Sequence, residues 1–387
     1  MLKALVLESG GTRMAYAIFD LAILGREVGD RCTALAEERT GIPAQNIVWA
    51  CTHTHTGPHT GDWFPYEGSV DPTNRDWLKT LPERFAACVQ QADAAKVPAR
   101  MSRVRAYCNS VGANRRYRFK GGREINTWLL SGEEDEVQCV GAGPIDPEIG
   151  VLAFDAEAGG LIAVLFNYAL HANANFGPVF SGDYPAVVAS RIREVYGPHV
   201  SCLFAPGACG DVNPMRPWRE VGDTVAEAIL VKLRQRRPVG GPMALAVERR
   251  DLTVPYRDLR KQEDERITAS QWPKESQELF RQNLEIMRRR GETETRTQLA
   301  AWRIGEVGFV GLPGELFVEW GMHLKQRSPF AWTYPVELCG DYVGYLVTRQ
   351  AWEAGGYESL ISTVAPVDVA GVEKMIASGL EMLARLR

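Results

Sequence analysis

Ten residues, Cys51–Thr60, read CTHTHTGPHT and hold half of the six histidines in this 387-residue chain. Imidazole is a leading ligand for divalent metals, and zinc above all. The pair His53 and His55 follows an apolar run, Ile47–Ala50, that reads as a buried strand. Side chains two apart in a strand share a face. Both rings are therefore expected at one strand end, beside the Gly57-Pro58 turn. There they can bind one metal together, or divide metal and substrate between them. His59, beyond the proline, reads as a loop residue. A lone histidine is more often a packed structural residue than a ligand, so the pair needs company before it means catalysis.

That company comes from three further polar motifs, each directly after an apolar strand. His171, in NYALHANAN, follows Leu161–Phe166. The segment GACGDVNP (Gly207–Pro214) follows Val200–Phe204. Pro313-Gly314-Glu315 follows Gly308–Gly311. In open α/β sheets, ligands gather beyond the carboxyl ends of strands. Two histidines and one glutamate make a catalytic zinc set that leaves a position open. Glu315 also reads as a helix start, where the dipole favours a carboxylate without any metal. Asp211 and Asp183 are acidic candidates near these strand ends, with loop and helix capping as the plainer reading, above all for Asp183.

The elements that must position these residues alternate between strand and helix, which points to an α/β fold with a mixed sheet core flanked by helices. Strands are expected at Leu2–Glu8, Arg13–Phe19, Ile47–Cys51, Val104–Asn109, Gly150–Phe154, Leu161–Tyr168, Val200–Phe204 and Ile304–Val310. Helices are expected from about Ala22 to Arg39, ended by Gly41 and Pro43, and from Asn74 to Ala95. Others are expected from Tyr184-Pro185, capped by Asp183, from Glu315 to Lys325, and from Gly371 to Leu386. Residues 258–297 are highly charged and read as an excursion of two exposed helices broken near Trp272-Pro273. Arg288–Arg290 reads as a solvated helix end before Gly291. No repeat or low-complexity linker interrupts the chain, so residues 1–387 are expected to form one domain.

Composition sets limits on function. Hydrophobic residues are 45% and charged residues 24% of the chain, with a net charge of -4, so nucleic acid is not an expected partner. No apolar run approaches the roughly 20 residues of a membrane span. The start, MLKALVLESGG, has no apolar core or cleavage site of a signal peptide, although a start codon further upstream is compatible with it. The eight cysteines are scattered without a CxxC pair, which fits reduced thiols and a cytoplasmic location. Cys51 and Cys209 lie inside the motifs, but without a thiolate-ligand pattern. A small-molecule substrate is the expected partner, and homo-oligomerisation is compatible with everything above.

At these motifs, and in their order from Leu2 to about Ser359, the chain resembles the neutral/alkaline ceramidases, the zinc-dependent N-acylsphingosine amidohydrolases. The family's THTHSGP stands here as THTHTGP, Thr52–Pro58. The resemblance implies one zinc per chain held by His53, His171, Glu315 and Tyr345. It implies that His55 assists the substrate carbonyl and that Arg115, in Asn114-Arg115-Arg116, faces substrate. Tyr345 follows Gly344 in the family's GY motif, and Tyr357, twelve residues on, would be an oxyanion donor. The implied chemistry is attack of a zinc-activated water on an N-acyl amide carbonyl. Three departures stand out. Asn213 replaces a catalytically important serine, so it would orient water or substrate. The family's leader and its C-terminal immunoglobulin-like domain have no counterpart here. These differences point away from ceramide itself. An esterase or lactonase on the same zinc site, or an inactive homologue that binds metal or ligand, remain the alternatives.

Overall fold

The computed structural model describes residues 1–60, 72–130, 138–175, 177–241, 243–259, 263–269, 272–360 and 364–387, with the backbone alone for 72–74, 269 and 360. The fold is mixed α/β, built on three main sheets. The first has the order Leu2–Ser9, Thr12–Phe19, Ile47–Cys51. Its first pair is an antiparallel hairpin across Gly10-Gly11, and its second pair is parallel. The second sheet runs Ser201–Pro206, Leu161–Tyr168, Glu148–Ala156, Ala99–Tyr107, with only the first pair parallel. The third runs Leu245–Pro255, Glu294–Ile304, Val307–Gly311, Trp332–Val336, with only the last pair parallel.

Two of the strands that pair in parallel read as short runs without a charged residue. Ile47–Cys51 and Val307–Gly311 are buried at every position. Such runs need cover on both faces. On the inner side the three sheets share one core, which includes Tyr16, Val48, Leu165, Leu203, Trp302 and Phe309. Trp302 and Phe309 stack at its centre, 5.1 Å between ring centroids. On the outer sides lie helices Arg26–Thr40 and Leu81–Ala94 over the first sheet, Asp183–Tyr196 and Trp218–Leu233 over the second, and Val369–Leu386 over the third. Among the described residues no helix is long and apolar enough to cross a membrane. All eight cysteines are free thiols.

The segment after Trp332–Val336 ties the sheets together where the polar motifs gather. Glu337 N donates to Pro206 O, Cys51 N to Leu338 O, and Gly340 N to Trp49 O. The carboxyl ends of three strands from three sheets are thereby held against one another.

Several boundaries differ from the sequence reading, each for a local reason. The expected helix 22–39 begins only at Arg26, because Leu21, Ile23 and Leu24 are drawn into the core ahead of Gly25. The expected helix 74–95 is two helices, Pro72–Lys79 and Leu81–Ala94, parted at Thr80 with Pro82 in the first turn of the second. The run Ile304–Val310 straddles a hairpin turn at Gly305, whose φ of 60° is left-handed. The helix expected from Glu315 starts at Val318. The charged excursion holds helices Glu263–Ala269 and Lys274–Arg290, and Gly291 closes the second in the left-handed conformation. Positions 260–262 and 270–271 of that excursion lie outside the described residues. The second helix is not wholly exposed: Phe280, Asn283 and Leu284 are buried. Helix Trp218–Leu233 and the strands Leu245–Pro255 and Trp332–Val336 were not anticipated.

Candidate metal centre and its surroundings

The strand carrying the histidine motif ends at Cys51, before either histidine. His53 adopts φ 64°, a left-handed backbone that is uncommon outside glycine. The two rings therefore meet through a loop and not through strand alternation, which corrects the two-residue spacing argument. The loop is fixed by backbone bonds from Thr52 N to Phe19 O, His53 N to Leu21 O and His55 N to Ala172 O. The last of these joins the motif to the His171 segment.

The rings of His53 and His171 lie 4.4 Å apart, centroid to centroid, and those of His53 and His55 4.9 Å. In both buried histidines Nδ1 is engaged by backbone: His53 Nδ1–H donates to Ala22 O at 2.8 Å and His171 Nδ1–H to Cys209 O at 2.9 Å. A carbonyl can only accept, so each ring carries a proton on Nδ1, and in the neutral form its lone pair lies on Nε2. Both Nε2 atoms converge on one carboxylate oxygen, Glu315 Oε2, at 3.2 Å from His53 and 3.7 Å from His171. His171 Nε2 is buried without a hydrogen-bond partner among the described residues. Ligand atoms of His53, His55 and His171 all lie within 4.8 Å of one another. This donor chemistry, two oriented imidazoles and a carboxylate in a buried space, fits a divalent cation such as zinc.

Glu315 is held from its other side. Tyr342 O–H donates to Oε1 at 2.9 Å. The residue sits in a two-residue strand, Glu315–Leu316, paired in parallel with Tyr345–Leu346, so Glu315 stands directly beside Tyr345. That pairing is tight. A Cβ on Gly314 would lie 2.2 Å from Gly344 O, and one on Gly344, at φ 89°, would lie 2.4 Å from Val364 O. Both positions require glycine. Tyr345 itself is buried, and its hydroxyl accepts from Arg115 Nη2 at 3.0 Å.

Arg115 connects the remaining residues. Its Nε donates to Glu358 Oε1 at 2.6 Å and its Nη1 to Asn213 Oδ1 at 3.1 Å. Asn213 thus occupies its position as an acceptor for the arginine. Tyr357 lies over this corner, its ring 5.8 Å from that of Tyr345 and 6.0 Å from that of Trp128. Asp211 lies behind the site. It is buried, its Oδ1 accepts from Val318 N at 2.8 Å and its Oδ2 from Asn114 Nδ2 at 2.7 Å. It ties the residue before Arg115 to the start of the helix that follows Glu315, with a hydrogen bond to each oxygen. Asp183, at φ 52°, accepts from Asn175 N and Tyr184 N, which is the local capping role expected of it. His59 is an exposed loop residue.

The electrostatics follow from this arrangement. Burial works against a charged His53, but the Glu315 carboxylate beside it outweighs burial and raises its pKa. Glu315 is lowered in turn, because His53 and Arg115 together overcome the cost of burying its charge. His171 is pushed well below the ordinary range by burial, then by the positive charge of His53, Arg115 and His55. His55, an exposed residue by its overall surface, is shifted down to about 3, chiefly by burial of its imidazole and then by the charge of His53. Neutral imidazole is the form that binds metal.

Three participants were not picked out from sequence: Tyr342, Glu337 and Glu358. Glu337 is fully buried. Its Oε2 accepts from Cys209 N and from Leu316 N, both at 3.0 Å, and its Oε1 accepts from Cys209 Sγ–H at 2.9 Å. Burial is the chief reason its pKa is pushed up to about 7. One carboxylate therefore holds the residue whose carbonyl orients His171 and the residue next to Glu315. Glu358, equally buried, takes Arg115 Nε, Arg116 Nη1 at 2.7 Å and Asn126 Nδ2 at 2.9 Å. A glutamate at the end of an apolar strand, as in VELCG, was the available cue for Glu337. Glu358, beside Tyr357, carries no such cue.

Comparison with family models and with curated proteins gives no match. Solved structures do match. The neutral ceramidase from Pseudomonas aeruginosa aligns over 100% of this chain and 69% of its own length, with a TM-score of 0.72 and 17% identity. A structure described as ceramidase complexed with C2 aligns over the same shares with a TM-score of 0.72 and 16% identity. The fold of this chain is that of the neutral ceramidases.

Proposed function

We propose that the chain is a zinc-dependent hydrolase of N-acyl amide bonds. The observation that supports this most is the convergence of His53 Nε2 and His171 Nε2 on Glu315 Oε2, with each Nδ1 committed to a backbone carbonyl. Three chain segments far apart in sequence supply those groups, and the Tyr345 hydroxyl adds a fourth. Packing alone gives no reason to bury two imidazoles around one carboxylate.

His53, His171, Glu315 and Tyr345 would hold the metal. A divalent cation bound there supplies Lewis acidity and lowers the pKa of a water towards about 7. His55, the exposed member of the imidazole cluster, faces the side from which substrate arrives and can donate to the carbonyl oxygen as charge develops on it. Tyr357 is the second donor to that oxygen. Burial, with the nearby negative charge of Glu315, raises its pKa, so it keeps its proton to give. Each such donor is worth about 100- to 1000-fold in rate. Arg115, fixed by Glu358 and Asn213, holds the substrate side of the site without rearranging. Asn213 does not ionise, and the route needs no nucleophile from it.

The test is metal content with activity. Protein grown with zinc is expected to carry about one zinc per chain, and His53→Ala or His171→Ala to lose it. A panel of matched acyl amides and esters then separates an amidohydrolase from an esterase or lactonase. Zinc-free protein after growth with zinc would refute the metal centre. Bound zinc with no turnover on the whole panel would leave a binding protein.

A further inference from the structure

Beside Asn213 the surface opens into a groove of about 400 Å³, walled by Asn173, Asn213, Met215, Arg216 and short apolar neighbours. It shares a wall with the candidate site, because Asn213 Oδ1 is the atom that Arg115 Nη1 donates to, at 3.1 Å. Asn173 Nδ2 approaches the same oxygen at 3.5 Å, and Asn173 Oδ1 is buried with no hydrogen-bond partner among the described residues. The groove contains one charged residue, Arg216, and no acid. Arg216 is exposed and has no carboxylate partner among the described residues. Its apolar lining is Ala174, Pro214, Met215 and Pro217, with Met215 the one long apolar side chain and no aromatic ring.

A space lined by two carboxamides and an unmatched guanidinium suits an anionic group better than a lipid tail. Guanidinium pairs with carboxylate through two parallel N–H donors, and carboxamides supply further donors. We propose that this groove binds a carboxylate carried by the substrate, so that the chain acts on an acyl amide with an acidic substituent, such as an N-acyl amino acid. The inference rests on the hydrolase reading above. The reaction is unchanged by it: a bond forms between the water oxygen and the carbonyl carbon, the C–N bond breaks, and a proton from water leaves on the amine.

The experiment uses the zinc-loaded protein and three substrates: N-hexanoylglycine, with the carboxylate on the amine side; N-succinyl-butylamine, with it on the acyl side; and neutral N-hexanoylethanolamine. One acidic substrate is expected to exceed the neutral one about tenfold in kcat/KM, through a lower KM, and to lose that advantage as salt rises. In Arg216→Gln the ratio of acidic to neutral substrate should fall towards one, and in Arg216→Glu below one. Using the ratio removes any general effect of the variant. A ratio of one in the wild type, or a ratio that survives Arg216→Gln, overturns the proposal. If no substrate turns over, the hydrolase reading fails and the groove is judged by calorimetric titration with N-hexanoylglycine. Binding that Arg216→Gln abolishes sustains it, and absence of binding to the wild type overturns it.

Discussion

Replacing Glu358 by glutamine tests the buried network behind Arg115. The side chain keeps its size, so no cavity opens, but the negative charge goes. Glu358 faces Arg115 Nε through one oxygen and Arg116 Nη1 through the other. Whichever way a glutamine amide turns, its NH2 points at a guanidinium, so one donor meets another. Asn126 Nδ2 contacts both oxygens and would lose one acceptor as well. Both arginines are almost fully buried. Arg116 keeps Glu124, but Arg115 keeps only neutral acceptors, Asn213 Oδ1 and the Tyr345 hydroxyl. Removing one partner of a buried ion pair costs about 3–5 kcal/mol. Unfolding entropy of about 2.1 cal/mol/K per residue gives about 0.8 kcal/mol/K for this chain, so Tm should drop by about 4–6 °C. Differential scanning calorimetry on wild type and Glu358→Gln gives the answer. A drop under about 1 °C would mean that water or side-chain rearrangement satisfies the arginines, and the network would not be the anchor described.

Two further outcomes follow from other residues. Glu337→Ala removes the acceptor shared by Cys209 N and Leu316 N, so zinc affinity measured against a competing chelator should weaken about 10- to 100-fold; an unchanged affinity in a folded variant would show that Glu337 does not orient the ligands. Asp211, with its pKa pushed up to about 6 mainly by burial, holds its proton in the folded chain at a pH where the unfolded chain, near 3.9, has lost it. Its contribution to stability is full below about pH 4 and lost as pH rises through about 6, a change on the order of 1–3 kcal/mol. Urea titrations across that window should show a steeper fall in the wild type than in Asp211→Asn, and parallel curves for the two would contradict it.

What the sequence disclosed depended on the kind of signal. Ile47–Cys51 and Leu161–Tyr168 appear with the expected limits, the first bounded by Asn46 and Thr52 and the second opened by Gly159-Gly160 and closed by its own Asn167-Tyr168. Leu245–Pro255 escaped notice because four consecutive charged residues, Glu248–Asp251, break its apolar pattern, and an edge of a sheet tolerates that. The convergence of His53, His171 and Glu315 was legible because each follows a strand, and carboxyl ends of strands collect sites. The orientation of the His53 ring was not, because it depends on a left-handed residue that no spacing rule describes. Asp211 was read as an acid near the chemistry, whereas its partners make it a brace. Glu337 and Glu358 stayed hidden since buried carboxylates are rare, and only their partners explain them.

The meeting of Gly314 with Gly344 bears on how such chains diverge. No side chain at all can enter between the two strands that carry Glu315 and Tyr345. An alanine at 314 would push those strands apart and separate a candidate ligand pair without touching either ligand. Distant descendants of this architecture should therefore keep the two bare backbones longer than they keep any given catalyst, and a chain that had abandoned its chemistry could still be traced by them.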